Sequence, residues 1–445
     1  MIHLAAAPPA INAGDTAWIL ASSALVLLMT PGLAFFYGGM VRGKNVLGML
    51  MQNYVAIGVV GVLWVLFGFT LAFSDNGFGG FAGNFHQFGL AHMKGQVVGT
   101  IPLLAFVGFQ AMFAIITPAL ITGSTADRFK FPAFIIFIAV WVTVVYAPVA
   151  HWVWNSGGWL FQRGAEDFAG GTVVHANAGA AGVAMALLLG RRKGWPNERM
   201  RPHNVPYVLL GAGLLWFGWF GFNAGSALAA NETASYAFLN TNTATAAALL
   251  GWIIVERLRD GHATTLGAAS GAVAGLVAIT PACGFISPVG SIFLGLIAGV
   301  VCSLCTTIKF KLGLDDALDV GAVHLVGGVL GALLIGFFGT STVGGADGIF
   351  YGGGAHLLRV QAEAVGAAVG YSFVATMIIG LILKYTIGIR MSDEQQMVGM
   401  DESLHAESAY DFNALSAGSF SGTSFGSSSL VLSSSTLGHR TEVQA

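Results

Sequence analysis

The sequence contains little charge, and this absence decides the class of protein. Of its 445 residues, 9% are Asp, Glu, Lys or Arg, whereas 55% are hydrophobic. Soluble domains carry about 25% charged residues, and no globular core could bury so much apolar surface. A membrane protein is therefore the class that fits. The formal net charge of −2 gives no indication of a nucleic-acid partner.

Cysteine is equally scarce, and its placement excludes two kinds of site. Cys283, Cys302 and Cys305 lie in apolar stretches, where they are typical of small buried side chains. Their spacing does not match a disulfide framework or a metal site. The sequence also lacks a nucleophile–base pair and a cofactor loop, so we predict neither an enzyme nor a cofactor. The N-terminus, MIHLAAAPPAINAGD, is not a complete signal peptide, because it lacks a basic region followed by a long apolar run.

Apolar segments of membrane-spanning length fill most of the chain. About 20 apolar residues cross roughly 30 Å of hydrocarbon, and eleven segments approach that length. Glycine, with 63 residues, allows such helices to pack closely. We therefore predict an all-α integral membrane protein with eleven spans, near residues 16–39, 46–73, 98–122, 131–150, 171–190, 205–228, 240–255, 264–283, 289–308, 319–339 and 363–388.

Lys and Arg are distributed unevenly between the two sides that these spans define. Sixteen of the 19 basic residues fall on one side, and the other side has Lys94, Arg163 and Arg359. Because basic loops stay in the cytoplasm, we predict a cell-membrane protein with its N-terminus outside and its C-terminus inside. This gives four parts: an outer N-terminus (1–15), the membrane domain (16–390), a cytoplasmic regulatory tail (391–412) and a Ser/Gly-rich disordered tail (413–445).

Two short segments in the two halves of the chain resemble each other. In DFAGGTVVHANAGAAG, Asp167 precedes His175 by eight residues, and in DALDVGAVHLVGGVLGA, Asp316 precedes His324 by the same distance. The segments belong to the fifth and tenth spans. Two halves of five spans have opposite orientations in the membrane. Inverted repeats of this kind are common in transporters, whose substrate path lies between the halves.

The two histidines and the first aspartate are candidates for function, because ionisable residues inside a span are costly. For one such histidine, a neutral ring hydrogen-bonded to a neighbouring helix is an equally good interpretation. Two at equivalent positions favour a shared site, so His175 and His324 are predicted to line a polar path or relay a proton. No third ligand accompanies them on the same helices, which disfavours a metal site. We expect Asp167 to cap a helix N-terminus and to attract cations.

Aromatic residues concentrate at the outer ends of several spans, as in LLWFGWFGFNAGSA. Such rings are often only an interfacial belt. The alternative is a weak cation site, since a cation over an aromatic face gains about 0.5–2 kcal/mol and a hydroxyl adds a hydrogen-bond acceptor. The aromatic residues concerned are Phe109, Phe113, Trp154, Trp216, Phe217, Trp219, Phe220 and Phe222, and the hydroxyl is that of Ser226.

Six motifs resemble the ammonium transporter family (Amt/MEP, related to the Rhesus proteins). DFAGGTVVH and GWFGFNAGS are long and specific, and the similarity extends to about Tyr410. It implies a bacterial-type Amt protein that takes up ammonium as a nitrogen source, built as a homotrimer. Each subunit would have two five-helix inverted repeats plus a C-terminal helix. The motifs are PGLAFFYGGMVRGKNVL, DFAGGTVVH, GWFGFNAGSA, NTNTATAAALLGW, GAVAGLVAITPACG and DVGAVH.

The resemblance assigns the outer part of the transport path to four residues. Trp154, Phe113 and Ser226 correspond to the outer site that recruits ammonium, where the rings face the cation and the hydroxyl accepts a hydrogen bond. Phe113 and Phe222 correspond to two stacked rings that close the pore below that site. The family resemblance implies that ammonium gives up its proton near this gate and crosses as neutral ammonia.

The resemblance assigns five further residues. His175 and His324 correspond to the twin histidines of the pore lumen, which would line the pore. The sequence leaves two alternatives open: the proton follows through this pair, or it stays outside while neutral ammonia crosses. Asp167 corresponds to an acidic residue that is needed for activity and lies near the recruitment site. Phe109 and Trp219 correspond to neighbouring positions of the pore vestibule.

The tail segment VGMDESLHAESAYD resembles the family's cytoplasmic segment, which couples the subunits and helps to dock PII signal proteins. Met400 stands where Leu is usual, and Ala406 stands where Gly is usual after His405. Ala adopts some backbone angles open to Gly only at a cost. We therefore expect the pore to follow the family pattern more closely than the tail does. The same holds for PII docking, which depends on the tail.

Two alternative functions remain open at this point. A Rhesus-like channel for neutral ammonia or carbon dioxide is disfavoured by Trp154 and Ser226, because they complete a cation site. An ammonium sensor that signals through a partner is disfavoured by the short Ser/Gly-rich tail, which does not resemble a folded signalling domain.

Overall fold

A computed structural model describes residues 10–198 and 200–410. Helices dominate this part of the chain. They are α1 (Ala13–Met40), α2 (Val46–Leu63), α3 (Phe69–Phe73), α4 (Leu103–Thr125), α5 (Phe131–Trp141), α6 (Ala147–Trp154), α7 (Trp159–Gln162), α8 (Asn177–Leu189), α9 (Val205–Gly225), α10 (Glu232–Asp260), α11 (Thr265–Ile279), α12 (Pro288–Cys305), α13 (Ile308–Leu312), α14 (Val326–Phe338), α15 (His356–Thr386), α16 (Asp393–Val398) and α17 (Met400–His405).

Strands are confined to the segment between α3 and α4, within the described residues. There, β1 (Asn76–Gly77) pairs antiparallel with β2 (Ala82–Gly83), and β3 (Val97–Val98) pairs antiparallel with β4 (Ile101–Pro102). Single 3₁₀ turns lie at Phe78–Gly80 and Phe88–Leu90. The predicted disordered tail, 413–445, and most of the N-terminal segment 1–15 lie outside the described residues.

Ten helical runs in the described part are long and apolar enough to cross a membrane, which confirms the all-α membrane class. The eleventh predicted span, 264–283, corresponds to α11, which has only 15 residues. The helix is shorter than predicted because turns replace it from Thr280 to Phe285, and Pro281 lacks the backbone N–H that would continue the helical hydrogen bonds. At about 1.5 Å per residue, α11 alone covers about 22 Å.

Spans from the two halves of the chain pack against each other in matching pairs. Helix α1, which forms the first span, lies along α9, which forms the sixth. A π-helical turn at Gly171–Ala176 precedes α8 and packs on α14, while a second π-helical turn at Gly321–Leu325 precedes α14 and packs on α8. The two histidine-bearing segments therefore meet in the interior.

Glycine permits a close helix contact between α10 and α12. A Cβ atom at Gly295 would lie 2.1 Å from the carbonyl oxygen of Ala244, and one at Gly299 would lie 2.1 Å from that of Ala248. Any larger residue would push the two helices apart. This close packing is the usual means of associating helices in lipid, where burial of apolar surface provides no drive.

A network of buried ions joins the loops on the basic side. Arg192 Nη2 lies 2.8 Å from Asp315 Oδ1, and its Nη1 lies 3.5 Å from Asp127 Oδ2. Arg42 also contacts Asp127, at 3.2 Å, and Arg128 donates to the Asp315 carbonyl at 2.6 Å. Burial by itself would raise the pKa of Asp315, but the hydrogen bonds and charge of Arg192 hold it below the usual value. The network ties four separate loops together.

Replacing Asp315 with Asn should destabilise the protein at neutral pH by about 3 kcal/mol, because it removes the nearer of the two counter-charges of the buried Arg192. Since the pKa of Asp315 is lowered, this stabilisation is present above its unfolded pKa and is lost as the pH falls through the folded value. Thermal unfolding in detergent, followed by tryptophan fluorescence, measures the effect. Asp393→Asn is the matched control, because its pair with Lys193 is exposed on both sides and should contribute under about 1 kcal/mol. Equal shifts for the two variants would contradict this.

Candidate functional site

An open cavity of about 460 Å³ lies on the side of the two hairpins. Its lining combines aromatic rings with uncharged polar groups. Trp154 and Ser226, two residues of the predicted outer site, both belong to it. Its other residues include Phe69, Phe73, Phe106, Gln87, Gln96, Gln110, Asn155 and Phe168. Such a lining suits a small cation that is partly hydrated, because rings and amide oxygens both attract positive charge.

The three residues of the predicted outer site come together at the floor of this cavity. The Trp154 ring meets Phe113 edge to face, with ring centroids 5.8 Å apart. Trp154 Nε1 donates to the Asp167 carbonyl at 2.9 Å, which fixes the ring. Ser226 Oγ donates to the Phe222 carbonyl at 2.8 Å. Its only hydrogen is therefore used, and the oxygen remains free to accept a hydrogen bond from a donor in the cavity.

Phe113 and Phe222 do not line the cavity but contact two residues that do, Phe113 the Trp154 ring and Phe222 the Ser226 hydroxyl. Their ring centroids are 4.2 Å apart with an interplanar angle of 34°, and both side chains are completely buried. Phe109 contacts Phe113 at 4.9 Å and is also completely buried, so it packs behind the gate rather than lining the cavity.

The two histidines lie directly beyond these rings. Their centroids are 5.4 Å apart, and the two Nδ1 atoms are 3.3 Å apart, so one ring donates to the other. His175 lies 6.0 Å from Phe222, and Trp219 stacks on its face at 5.3 Å. Trp219 Nε1 donates to Thr280 Oγ1 at 2.8 Å. Trp219 is thus placed at the level of the histidines, not in the outer cavity.

The Nε2 atoms of the two histidines have different environments. His175 Nε2 is buried and has no hydrogen-bond partner in the protein, which leaves it available to a small polar molecule. His324 Nε2 lies 3.3 Å from the Tyr37 hydroxyl. A second cavity of about 60 Å³ lies past His324 and is lined by Tyr37 and Asp319 among others. The parts therefore follow one another in a fixed order: the 460 Å³ cavity, the Phe113–Phe222 ring pair, the two histidines and the 60 Å³ cavity.

The repeated Asp-to-His spacing has a structural cause. Asp167 accepts four backbone hydrogen bonds, from Gly170 and Gly171 at 2.8 and 2.7 Å and from Thr172 and Val173 at 2.9 and 3.0 Å. In this way it caps the π-helical turn that carries His175. These bonds compensate its charge, so any attraction of a cation acts over a distance.

The second half of the chain repeats this cap. Asp316 Oδ2 accepts from the Gly321 backbone at 2.7 Å, and its Oδ1 accepts from Val320 at 3.2 Å and from Ser124 Oγ at 2.8 Å. The turn that it caps carries His324. π-Helical turns of this kind often lie at functional sites.

Three contributors to the site were not singled out from the sequence. Tyr37, Thr280 and Gln110 are polar residues in apolar segments, and the contacts of Tyr37 with His324 and of Thr280 with Trp219 join residues far apart in sequence. Gln110 Oε1 is buried without a hydrogen-bond partner next to the outer cavity. The sequence signal that could have identified all three was a polar residue inside an apolar segment. In the described residues, no group of three or more His, Cys, Asp or Glu side chains is arranged to hold a metal.

Comparison with known proteins identifies the family of this chain. The model of the Ammonium Transporter Family matches residues 17–410. An ammonium transporter of Mycobacterium tuberculosis (strain H37Rv) is 53% identical over 441 residues, covering 92% of both chains. One from Bacillus subtilis (strain 168) is 47% identical, covering 89% of this chain and 98% of its own. The chain belongs to the ammonium transporter family.

Solved structures of the family have the same fold. The crystal structure of Saccharomyces cerevisiae Mep2 superposes with a TM-score of 0.82 at 35% identity, covering 86% of this chain and 89% of that one. A protein described as "Sensor Amt Protein" also reaches 0.82, at 30% identity, covering 87% and 97%. Family membership and the ten apolar helices together identify a multi-pass membrane protein of a transporter family, not an enzyme.

The tail segment that resembles this family's cytoplasmic region packs on the start of α2. The Met400 backbone donates to Asn45 Oδ1 at 2.8 Å, and Asp401 Oδ1 accepts from the Gly48 backbone at 2.8 Å. Asp401 therefore caps α2 from outside its own sequence. Ala406 ends α17 in the left-handed conformation, at φ 53° and ψ 38°. Ala406 thus adopts a backbone conformation that favours Gly.

Replacing Ala406 with Gly should strengthen the docking of α17 by up to about 1 kcal/mol, because a Cβ atom is disfavoured in the left-handed region. Hydrogen exchange of the backbone amides of 400–405 should become slower in this variant. Ala409→Gly is the control, since residue 409 does not have a positive φ and loss of its Cβ atom should give no protection. Faster exchange in Ala406→Gly would contradict the expectation.

Proposed function

We propose that this protein transports ammonium across the cell membrane for use as a nitrogen source. The observation that carries the proposal is the order of its parts: an aromatic cavity with a free hydroxyl oxygen, then a dry ring gate, then two facing histidines. Each part suits one step in moving a small cation that can lose a proton.

The outer cavity is proposed to recruit the cation. Ammonium carries four N–H donors and a positive charge. Ser226 Oγ would accept one hydrogen bond, while the Trp154 and Phe113 rings face the charge. Such contacts contribute about 0.5–2 kcal/mol per ring, enough for selection but not for tight retention. The buried Asp167 carboxylate adds negative potential near this site.

The gate is proposed to separate the ion from its proton. Phe113 and Phe222 fill the path with hydrocarbon, and moving a charge through such a region costs several kcal/mol. Neutral ammonia avoids this cost. His175, whose Nε2 has no protein partner, would hydrogen-bond ammonia on entry, and the contact between the two Nδ1 atoms would pass a proton to His324 as a separate relay.

The arrangement in the membrane is part of the same proposal. Helix α11, together with the turn that follows it, would complete eleven spans in two inverted five-helix repeats plus a C-terminal helix. The N-terminus would lie outside and the C-terminus in the cytoplasm. A homotrimer in the bilayer, and docking of a PII signal protein near the tail at 391–412, follow from the family resemblance.

A sensor function is not favoured. The curated relatives with the highest identity quoted above are named ammonium transporters, whereas the sensor protein is 30% identical.

Replacing Trp154 with Leu should weaken the preference for ammonium over potassium about ten-fold, because one cation–aromatic contact is lost. Currents on a solid-supported membrane, recorded with purified protein in liposomes and pulses of either ion, give the ratio. Trp159→Leu is the matched control, since that ring lies outside the outer cavity. An unchanged ratio in Trp154→Leu would exclude the aromatic site.

Removing both histidines, by His175→Ala with His324→Ala, should abolish the ammonium-induced current or make it unselective, because the relay is lost. His262→Ala, in an exposed loop, should retain it. The same liposomes should contain a pH-sensitive dye. If wild type gives a pH change that reports ammonia entry but no current, the protein conducts the neutral gas and the histidines only line its pore.

A further inference from the structure

Glu166 occupies an unusual position immediately before Asp167. Its side chain leaves the turn that Asp167 organises and reaches a different part of the outer face. There, Glu166 Oε1 accepts a hydrogen bond from the Ala346 backbone at 2.6 Å. The partner lies in the outer segment 340–348, which connects α14 to α15 and is 180 residues away in sequence.

The backbone of Glu166 is held independently of its side chain. Its N–H donates to Gln361 Oε1 at 2.7 Å, and its carbonyl accepts from Gln361 Nε2 at 2.7 Å. Gln361 is 1% exposed and donates also to the Ala332 carbonyl at 3.1 Å. Helix α15 thus fixes the main chain at residue 166, and the carboxylate is left to hold the outer segment.

The outer segment reaches the substrate cavity by a second route. The Thr340 backbone donates to the Phe285 carbonyl at 2.9 Å. The Phe285 ring meets Phe168 edge to face at 5.3 Å, and Phe168 lines the outer cavity. Glu166 and Phe285 therefore connect the same segment to the main chain on both sides of Asp167.

Resting on the proposed function, we propose that the Glu166–Ala346 hydrogen bond is an outer latch that positions Asp167 and Phe168 and so sets the affinity of the recruitment site. Glu166 is a positioning residue, because it does not touch the cavity itself. With the latch closed, Phe168 and the Trp154 ring, which bonds to the Asp167 carbonyl, keep their places in the cavity wall.

The surroundings of Glu166 make the latch sensitive to pH. Burial raises the pKa of Glu166 to about 7, although the Ala346 hydrogen bond opposes this. The other charged groups near Glu166 have partners of their own. Asp167 accepts hydrogen bonds from its own turn, and Asp347 of the outer segment accepts from Ser341. Arg163 pairs with Glu363 of α15, and Arg359 of α15 contacts His356. Below pH 7 the carboxyl becomes neutral and accepts the hydrogen bond more weakly. The latch should loosen there.

Transport kinetics of the full-length protein in liposomes test the latch, with ammonium as the probe. Glu166→Ala should raise the half-saturating ammonium concentration about three- to ten-fold, the effect of losing a hydrogen bond to a charged group. The maximal rate should stay within about two-fold, because the gate and the histidines are untouched. Glu363→Gln, an exposed acidic residue on α15, is the control.

The variant Glu166→Gln tests whether the carboxyl group of Glu166 causes the pH dependence. Gln has nearly the same size and retains an acceptor oxygen, but it does not titrate. In wild type and in Glu363→Gln, the half-saturating concentration should rise as the pH falls from 8 to 6. In Glu166→Gln the half-saturating concentration should not change between pH 8 and 6, and it should equal the value that wild type has at pH 6. A wild-type pH response in Glu166→Gln, or control-like affinity in Glu166→Ala, would overturn the proposal.

Hydrogen exchange at the Ala346 amide tests the latch without transport. Exchange should be faster in Glu166→Ala than in wild type and in Glu363→Gln, and unchanged exchange would overturn the latch. If wild type itself carries no ammonium-dependent current, the proposed function fails. The exchange measurement still decides whether the latch exists.

Discussion

The centre of this structure depends on two carboxylates that cap helical turns inside a membrane protein. A helix N-terminus exposes backbone N–H groups without partners, and in an apolar environment each unsatisfied group costs several kcal/mol. Asp167 and Asp316 accept these hydrogen bonds. Because each caps a turn that carries a histidine, the two caps also fix where the imidazoles meet.

The facing turns place polar and apolar layers in a definite order. An aromatic cavity lies at one end, the tilted Phe113–Phe222 ring pair follows, and the imidazole pair lies next to Phe222. A cation gains about 0.5–2 kcal/mol at the outer rings but would lose several in the dry region. This difference is the physical reason that the geometry favours a neutral species in the narrow part and a charged one outside.

The two ends of the path are anchored by different chemistry. On the basic side, buried ion pairs between Arg192 and the carboxylates of Asp315 and Asp127 join the loops, and Asp401 of the tail caps α2. On the outer side, the contacts of Glu166 with Ala346 and Gln361 tie the Asp167 turn to α15 and to the segment before it. Each end therefore holds one of the two capped turns from its own side.

The sequence by itself determined the membrane class, the helical architecture and the pair of equivalent Asp-to-His segments, because composition, apolar length and spacing are local properties. It predicted a full-length span at 264–283, whereas α11 ends at Ile279. It assigned Trp219 to the vestibule, whereas the ring stacks on His175.

Only the tertiary structure decided which polar residues share a contact. The Nδ1 atoms of His175 and His324 meet across 149 residues of sequence, and Glu166 reaches Ala346 across 180. No periodicity records such pairings. They arise from the packing of one half of the chain against the other, which brings together side chains that are far apart in sequence.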